Sequence, residues 1–395
     1  MGDEMKLGDV LHQTSAVSLL RRALRSGRMP HAYLFDGPEG VGKERAALAL
    51  AARLLCEAEQ PAPDADACGE CTACRLMAVG NHPDFHLVHR GLHKVHPERS
   101  VRVSKGLFLV VDLIRYFVIE PAARTPQLGR RRVFVIRDAE RMNDEAQNAL
   151  LKTLEEPPGE ACLVLITSSA SRLLPTIRSR CQRVPFGGLP RTFVEAELAR
   201  QCRVDAASAT ALAALADGRL GAAIRWQQMG VLDALRDLAA LVPQFESDAP
   251  DAAATRLVEI ATALGQRASG DVAPDDDDEA AGEEADDADS PRSGRGSAKT
   301  IATDVLRDAL KLILTLVSAI YRDALVAQSA AAELRNLAAF TRLTDRLAAE
   351  WPQERLDAAV RAAAEAESML DRNVAAQLVC ERLVLTISGR VAATA

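Results

Sequence analysis

The run Gly37-Pro38-Glu39-Gly40-Val41-Gly42-Lys43-Glu44 spells a phosphate-cradling loop up to its last residue. Such loops read G-x-x-x-x-G-K-[S/T]: backbone N–H groups surround the phosphates, the lysine meets their charge, and the hydroxyl holds Mg²⁺. Here Glu44 puts a carboxylate where the hydroxyl belongs. The N–H groups and the helix dipole still favour phosphate, but Glu44 adds negative charge beside the phosphates and the metal. A second part of the same chemistry belongs at the end of the apolar run Arg132-Val133-Phe134-Val135-Ile136-Arg137-Asp138. Hydrolysis needs an aspartate there for Mg²⁺ and then an acidic residue to orient water. Arg137 takes the first slot and Asp138 the second. A cation cannot hold Mg²⁺, and Asp138 alone reads as a salt-bridge or capping residue. Gly37, Gly40, Gly42, Lys43, Glu44 and Asp138 thus form a degenerate nucleotide site in which ATP and Mg²⁺ are not expected. The plainer role for the loop is a tight turn from strand to helix.

A second constellation is Cys68-x-x-Cys71-x-x-Cys74, with Cys56 twelve residues upstream. Four thiolates suit tetrahedral Zn²⁺, and a closed set of four is structural because no position is left for water. The polar stretch from Pro61 to Ala67 cannot fold alone, so the metal would organise the excursion. His82, His86, His89, His93 and His96 follow closely but are not needed as ligands. Of the remaining cysteines, Cys162 in a strand-like run and Cys380 in a helix-like one read as small core residues.

The elements that must position these residues can be read from periodicity and punctuation. Strands are expected at 31–35, 85–89, 132–137, 161–167 and 183–186, and helices at 17–25, 44–55, 112–117 and 143–156. Asn143 is placed to cap the last of these, Asp144 and Glu145 suit its positive end, and Pro157-Pro158 stops it. Continuous apolar strands alternating with helices predict an α/β domain with a parallel sheet covered on both faces. Beyond Pro190 only helical patterns remain. The expected division is an α/β P-loop domain over 1–187, a small helical domain over 188–229 and an all-helical domain over 230–395.

Net charge is −7, yet residues 271–289 alone hold eleven acidic side chains, so the rest of the chain carries about +4. The stretch 271–297 has almost no large apolar residues and reads as a disordered acidic insert. A mildly basic fold argues against strong independent DNA binding. No apolar run approaches the ~20 residues that span a bilayer, and the first residues lack a signal-peptide core. The expectation is a soluble cytoplasmic chain.

Three motifs in order carry a resemblance. Asn148-Ala149-Leu150-Leu151-Lys152-Thr153-Leu154-Glu155-Glu156-Pro157-Pro158, the triplet Ser179-Arg180-Cys181 and the cysteine module after the phosphate-loop helix together resemble bacterial clamp-loader subunits of the AAA+ superfamily. The resemblance runs from about residue 10 to 187. It implies an AAA+ domain, a helical lid and a helical collar. It also implies that Arg180 reaches out as an arginine finger to a neighbouring gamma/tau ATP site, while Arg178 stands nearby. Hydrolysing relatives carry a Ser or Thr after the lysine, an Asp-Glu pair and a lid arginine. This chain has Glu44, Arg137-Asp138 and Gly221 at those places, and either Thr167 or Ser168 at the sensor position on the fourth strand. The resemblance therefore implies a non-hydrolysing stator in DNA replication. Its partners would be gamma/tau and delta subunits, with the sliding clamp and primer-template DNA met through the complex. Two rivals stand beside it: an active ATPase of the same family, and a free-standing zinc-dependent nucleic-acid-binding protein.

Overall fold

The computed structural model describes residues 6–59, 62–103, 108–246, 250–270, 303–329, 334–337 and 340–391. The acidic insert expected at 271–297 lies outside them. The chain divides into two compact units, Met1–Val194 with Asp217–Ala222, and Glu195–Ala216 with Ala223–Ala395.

The first unit is built on a five-stranded sheet of β1 (Ala32–Asp36), β2 (Phe85–Val88), β3 (Arg132–Ile136), β4 (Ala161–Thr167) and β5 (Gln182–Pro185). The strand order is β2-β3-β4-β1-β5 and every pairing is parallel. The expected α/β fold with a parallel sheet is what forms. Side chains alternate between the two faces, and both faces are covered. On one, Tyr33, Phe35, Val133, Val135, Val164 and Ile166 pack under α1 (Thr14–Ser26) and α2 (Lys43–Leu55). On the other, Leu34, Phe134, Ile136, Leu163 and Leu165 meet α4 (Asp144–Glu155) and α5 (Pro175–Arg180), while α3 (Thr72–Ala78) follows the cysteines. Each such apolar side chain contributes about 1.5–3 kcal/mol on burial, which is why β3 and β4 are buried along their whole length. Cys162 sits in this core and Cys380 in that of the second unit, as expected.

Because all strands run the same way, the loops after β1, β3, β4 and β5 gather at one edge of the sheet, where α/β proteins bind ligands. The opposite edge is pinned by Asp84. Its carboxylate is fully buried and accepts the N–H groups of Gln127 (2.7 Å), Leu128 (2.8 Å) and Gly129 (3.1 Å), with Arg132 Nε at 3.6 Å. Burial alone would raise its pKa, but the three amides and Arg132 outweigh it and hold the carboxyl below its ordinary value. That stability is complete above the unfolded pKa of about 4 and is lost as pH falls through the lower folded value. Asp84→Asn should cost the first unit about 3 kcal/mol. Urea unfolding followed by a probe in the sheet would show it, and a midpoint within error of the parent would contradict it.

In the second unit, long helices enclose one apolar core. Thr303–Gln328, Pro250–Gly270, Gln353–Asp371 and Ala376–Ile387 supply Leu257, Leu316, Ile320, Tyr321, Leu356 and Leu383 to it. Tyr321 stacks on Trp351 at 5.4 Å between centroids, and the Arg355 guanidinium lies 3.6 Å from the Trp351 ring centroid while pairing with Glu246. Among the described residues, no helix is long and apolar enough to cross a membrane.

Candidate nucleotide site, finger and metal centre

The glycine-rich loop joins β1 to α2 at the carboxyl edge of the sheet. Lys43 is buried and its Nζ donates to the carbonyl oxygens of Gly37 and Pro38, each at 2.5 Å. Burial lowers its pKa, against the raising influence of Glu140, Glu39, Asp36 and Asp138. Gly37 is packed so closely that a Cβ would stand 2.2 Å from the Phe186 carbonyl oxygen. The loop's lysine is thus folded onto its own backbone.

The two departures from the ATPase pattern meet each other. Arg137, at the end of β3, forms an ion pair with Glu44 on the first turn of α2. Both side chains are 37% exposed, so the pair itself stabilises the fold by about 1 kcal/mol or less. Its electrostatic consequence is larger. The pair is neutral as a whole, so an approaching Mg²⁺ gains no net attraction. Breaking the pair still leaves a guanidinium beside the start of α2. Asp138 is held in a left-handed conformation (φ 51°) and its Oδ2 lies 3.6 Å from Arg90 Nε.

Gly221, at the position where the resemblance expects a lid arginine, also meets the glycine-rich loop. The backbone N–H of Gly221 donates to the carbonyl of Gly40 at 2.9 Å. Gly40 has φ +76°, and a Cβ there would come within 2.8 Å of Ala222 N and 2.9 Å of Gly221 N. A Cβ on Gly221 would stand 2.9 Å from Gly40 Cα. Gly221 therefore does more than lack an arginine, because the backbone contact leaves no space for any side chain there.

Sequence reasoning passes over two side chains of this edge. Gln13 is buried; its Nε2 donates to the Val41 (3.2 Å) and Gly187 (2.8 Å) carbonyls, and its Oε1 accepts from Gly187 N at 3.1 Å. It ties the glycine-rich loop to the segment after β5. Glu140 accepts from Ser168 N at 3.1 Å and from Ser168 Oγ at 2.5 Å. Burial would raise its pKa, but the Ser168 and Thr167 hydroxyls and nearby amides outweigh it and lower it. Thr167 Oγ1 accepts from Ser169 N at 3.0 Å, so both candidate sensor residues are engaged within their own chain. Neither signal is readable without knowing which strand ends are neighbours.

Arg180 ends α5. Its Nη2 pairs with Glu155 Oε1 at 2.5 Å and its Nη1 donates to the Thr176 carbonyl at 3.1 Å. Arg178, on the same short helix, is exposed.

The four cysteines converge. Sγ of Cys56 is 3.6 Å from that of Cys68 and 3.9 Å from that of Cys71, and Cys68 is 3.8 Å from Cys74. These separations are far beyond a disulfide bond and close to the ~3.8 Å edge of a tetrahedron whose metal–sulfur bonds are ~2.3 Å. The amides of Cys68, Glu70, Cys71 and Cys74 point at the sulfurs at 3.3–3.5 Å. Burial works against ionising Cys71, but the Cys74 and Glu57 amides and its thiol neighbours outweigh it and bring the pKa down to about 6. The residues present fit a metal ion held by four sulfurs. Among the described residues this is the only such cluster. The nearby histidines are used otherwise: His82 and His96 accept backbone amides at 3.1 Å, and His86 stacks on Phe134 at 4.7 Å.

The parallel sheet, the glycine-rich loop after β1 and the helices over both faces make the first unit an α/β domain. Residues 12–190 match the family described as "DNA polymerase III, delta subunit". The chain is 48% identical over 160 residues to DNA polymerase III subunit delta' of Pseudomonas aeruginosa, covering 40% of this chain and 44% of that protein. It is 35% identical over 194 residues to DNA polymerase III subunit gamma/tau of Mycobacterium bovis, covering 49% of this chain and 31% of that one. A solved gamma subunit-related protein of Thermotoga maritima aligns with 94% of this chain and 98% of its own, at 17% identity and a TM-score of 0.38. Over residues 12–190, then, this chain is similar to delta-prime clamp-loader subunits. It spans about half the length of the curated delta-prime relatives it matches, between 41% and 55%.

Proposed function

We propose that the chain is the non-hydrolysing delta-prime subunit of a DNA polymerase III clamp loader, acting in DNA replication. The observation that supports this most is the Glu44–Arg137 ion pair, which joins the two residues that replace the metal-holding hydroxyl and carboxylate of an ATPase. The Gly40–Gly221 backbone contact supports it independently. In this reading the degenerate site binds no Mg²⁺-nucleotide, and the subunit is a stationary member of a ring with gamma/tau and delta. Arg180 serves the neighbouring gamma/tau site, where it stabilises charge on the transferring phosphoryl group. Residues 188–229 act as lid and 230–395 as collar. The sliding clamp and primer-template DNA are met through the complex, with contacts mainly to phosphates. Zn²⁺ at Cys56, Cys68, Cys71 and Cys74 holds the excursion after α2 together and takes no part in chemistry.

Restoring the missing hydroxyl tests the reading. Glu44→Ser frees Arg137 from its partner and leaves its positive charge in place. The isolated variant should release no phosphate from ATP above background. Steady turnover by that variant would show that β3 does not end where an ATPase places its metal ligand, and the active-ATPase reading would replace this one.

A further inference from the structure

We propose that Glu155 is the positioning residue of Arg180, holding its guanidinium in one geometry before the neighbouring site is met; this rests on the finger reading above. The two residues sit at the ends of two helices that are pinned together twice. At one end, Gln147 on α4 is buried, its Oε1 accepting Leu174 N at 2.8 Å and its Nε2 donating to the Met142 carbonyl at 3.1 Å. Leu174 is the cap residue of α5, and Pro175 fixes the first turn. Between the pins, Leu150, Leu154 and Ile177 are buried in one apolar cluster. At the other end, Glu155 closes α4 just before Pro157-Pro158, and its carboxylate takes Arg180 Nη2.

The Thr176 carbonyl and Ser179 Oγ take Nη1 at 3.1 and 3.5 Å. A guanidinium has five N–H donors in a fixed fork, and these contacts engage no more than three of them. The others are left for an acceptor outside the chain. A long exposed arginine otherwise loses substantial rotamer freedom when it engages a phosphate. Glu155 makes that ordering part of the folded subunit.

The test uses full chains in a reconstituted complex, with steady-state ATPase measured on primed DNA with the clamp. The parent is compared with Glu155→Gln, Arg180→Ala and the double variant. Ordering one such side chain corresponds to about a two- to tenfold change, so Glu155→Gln should lower kcat by that factor with KM unchanged. In the Arg180→Ala background it should change nothing further. A normal kcat for Glu155→Gln beside a low one for Arg180→Ala overturns the proposal and leaves the finger reading intact. A Glu155→Gln effect that persists without Arg180, or that tracks loss of subunits from the complex by mass, also overturns it. If Arg180→Ala itself leaves turnover unchanged, the finger reading has failed and this inference with it.

Discussion

Replacing Arg180 by alanine should silence the ATP site that faces it, slowing that site by about 10³–10⁵-fold. The size follows from what the side chain does in the proposed ring. Charge spreads over the equatorial oxygens of the phosphoryl group as it transfers, and a guanidinium across the interface meets that charge in the transition state. Nothing of comparable size is expected for the subunit's own stability. Within the subunit the substitution removes an ion pair whose side chains are 34% and 48% exposed, worth about 1 kcal/mol or less. Phosphate release by the reconstituted complex, with clamp and primed DNA present, reads the first effect. Thermal unfolding of the isolated subunit reads the second. Full turnover by the variant complex would reject the finger.

Removing the metal should have the second-largest effect, confined to one region. Structural zinc sites bind with an apparent ~10–16 kcal/mol, and that energy is folding energy for the segment they close. The stretch from Cys56 to Cys74 contributes few apolar side chains of its own; among its described residues Ala67, Ala73 and Cys74, with the adjoining Met77, are the buried ones. Cys74→Ser should therefore release zinc and abolish hydrogen-exchange protection over α3, while β1, β3 and β4 keep theirs. Affinity should also fall as pH drops, because the thiolates must give up the metal to bind protons. Elemental analysis finding no zinc in the purified chain, or unchanged protection over α3 in the variant, would contradict this.

Much of the first unit is legible in the sequence. β3 and β4 read as unbroken apolar runs because parallel strands are buried on both faces. The start of α4 is readable because Asn143 Oδ1 does accept the Ala146 amide, at 3.0 Å. The helix expected at 112–117 is longer, running from Val111 through a π-helical turn to Ala122, since Pro121 masks its pattern. α3 escapes a reading by periodicity because its first residues lie among the expected metal ligands. Pairing over distance is what the sequence does not reveal. Glu44 and Arg137 are 93 residues apart and meet only because the strand order brings the end of β3 beside the start of α2. Two departures that look independent in the sequence are one ion pair in the fold. The same holds for Asp84, whose three amide donors lie 43 to 45 residues further on, and for Gly221, whose role depends on a backbone approach to Gly40.

Whether the subunit's own site takes nucleotide can be read by calorimetric titration of the isolated subunit with ATP, with and without Mg²⁺. A pocket plugged by its own ion pair should give no heat that depends on the metal. Saturable, metal-dependent binding would mean that Glu44 and Arg137 part readily and that the site still takes its nucleotide.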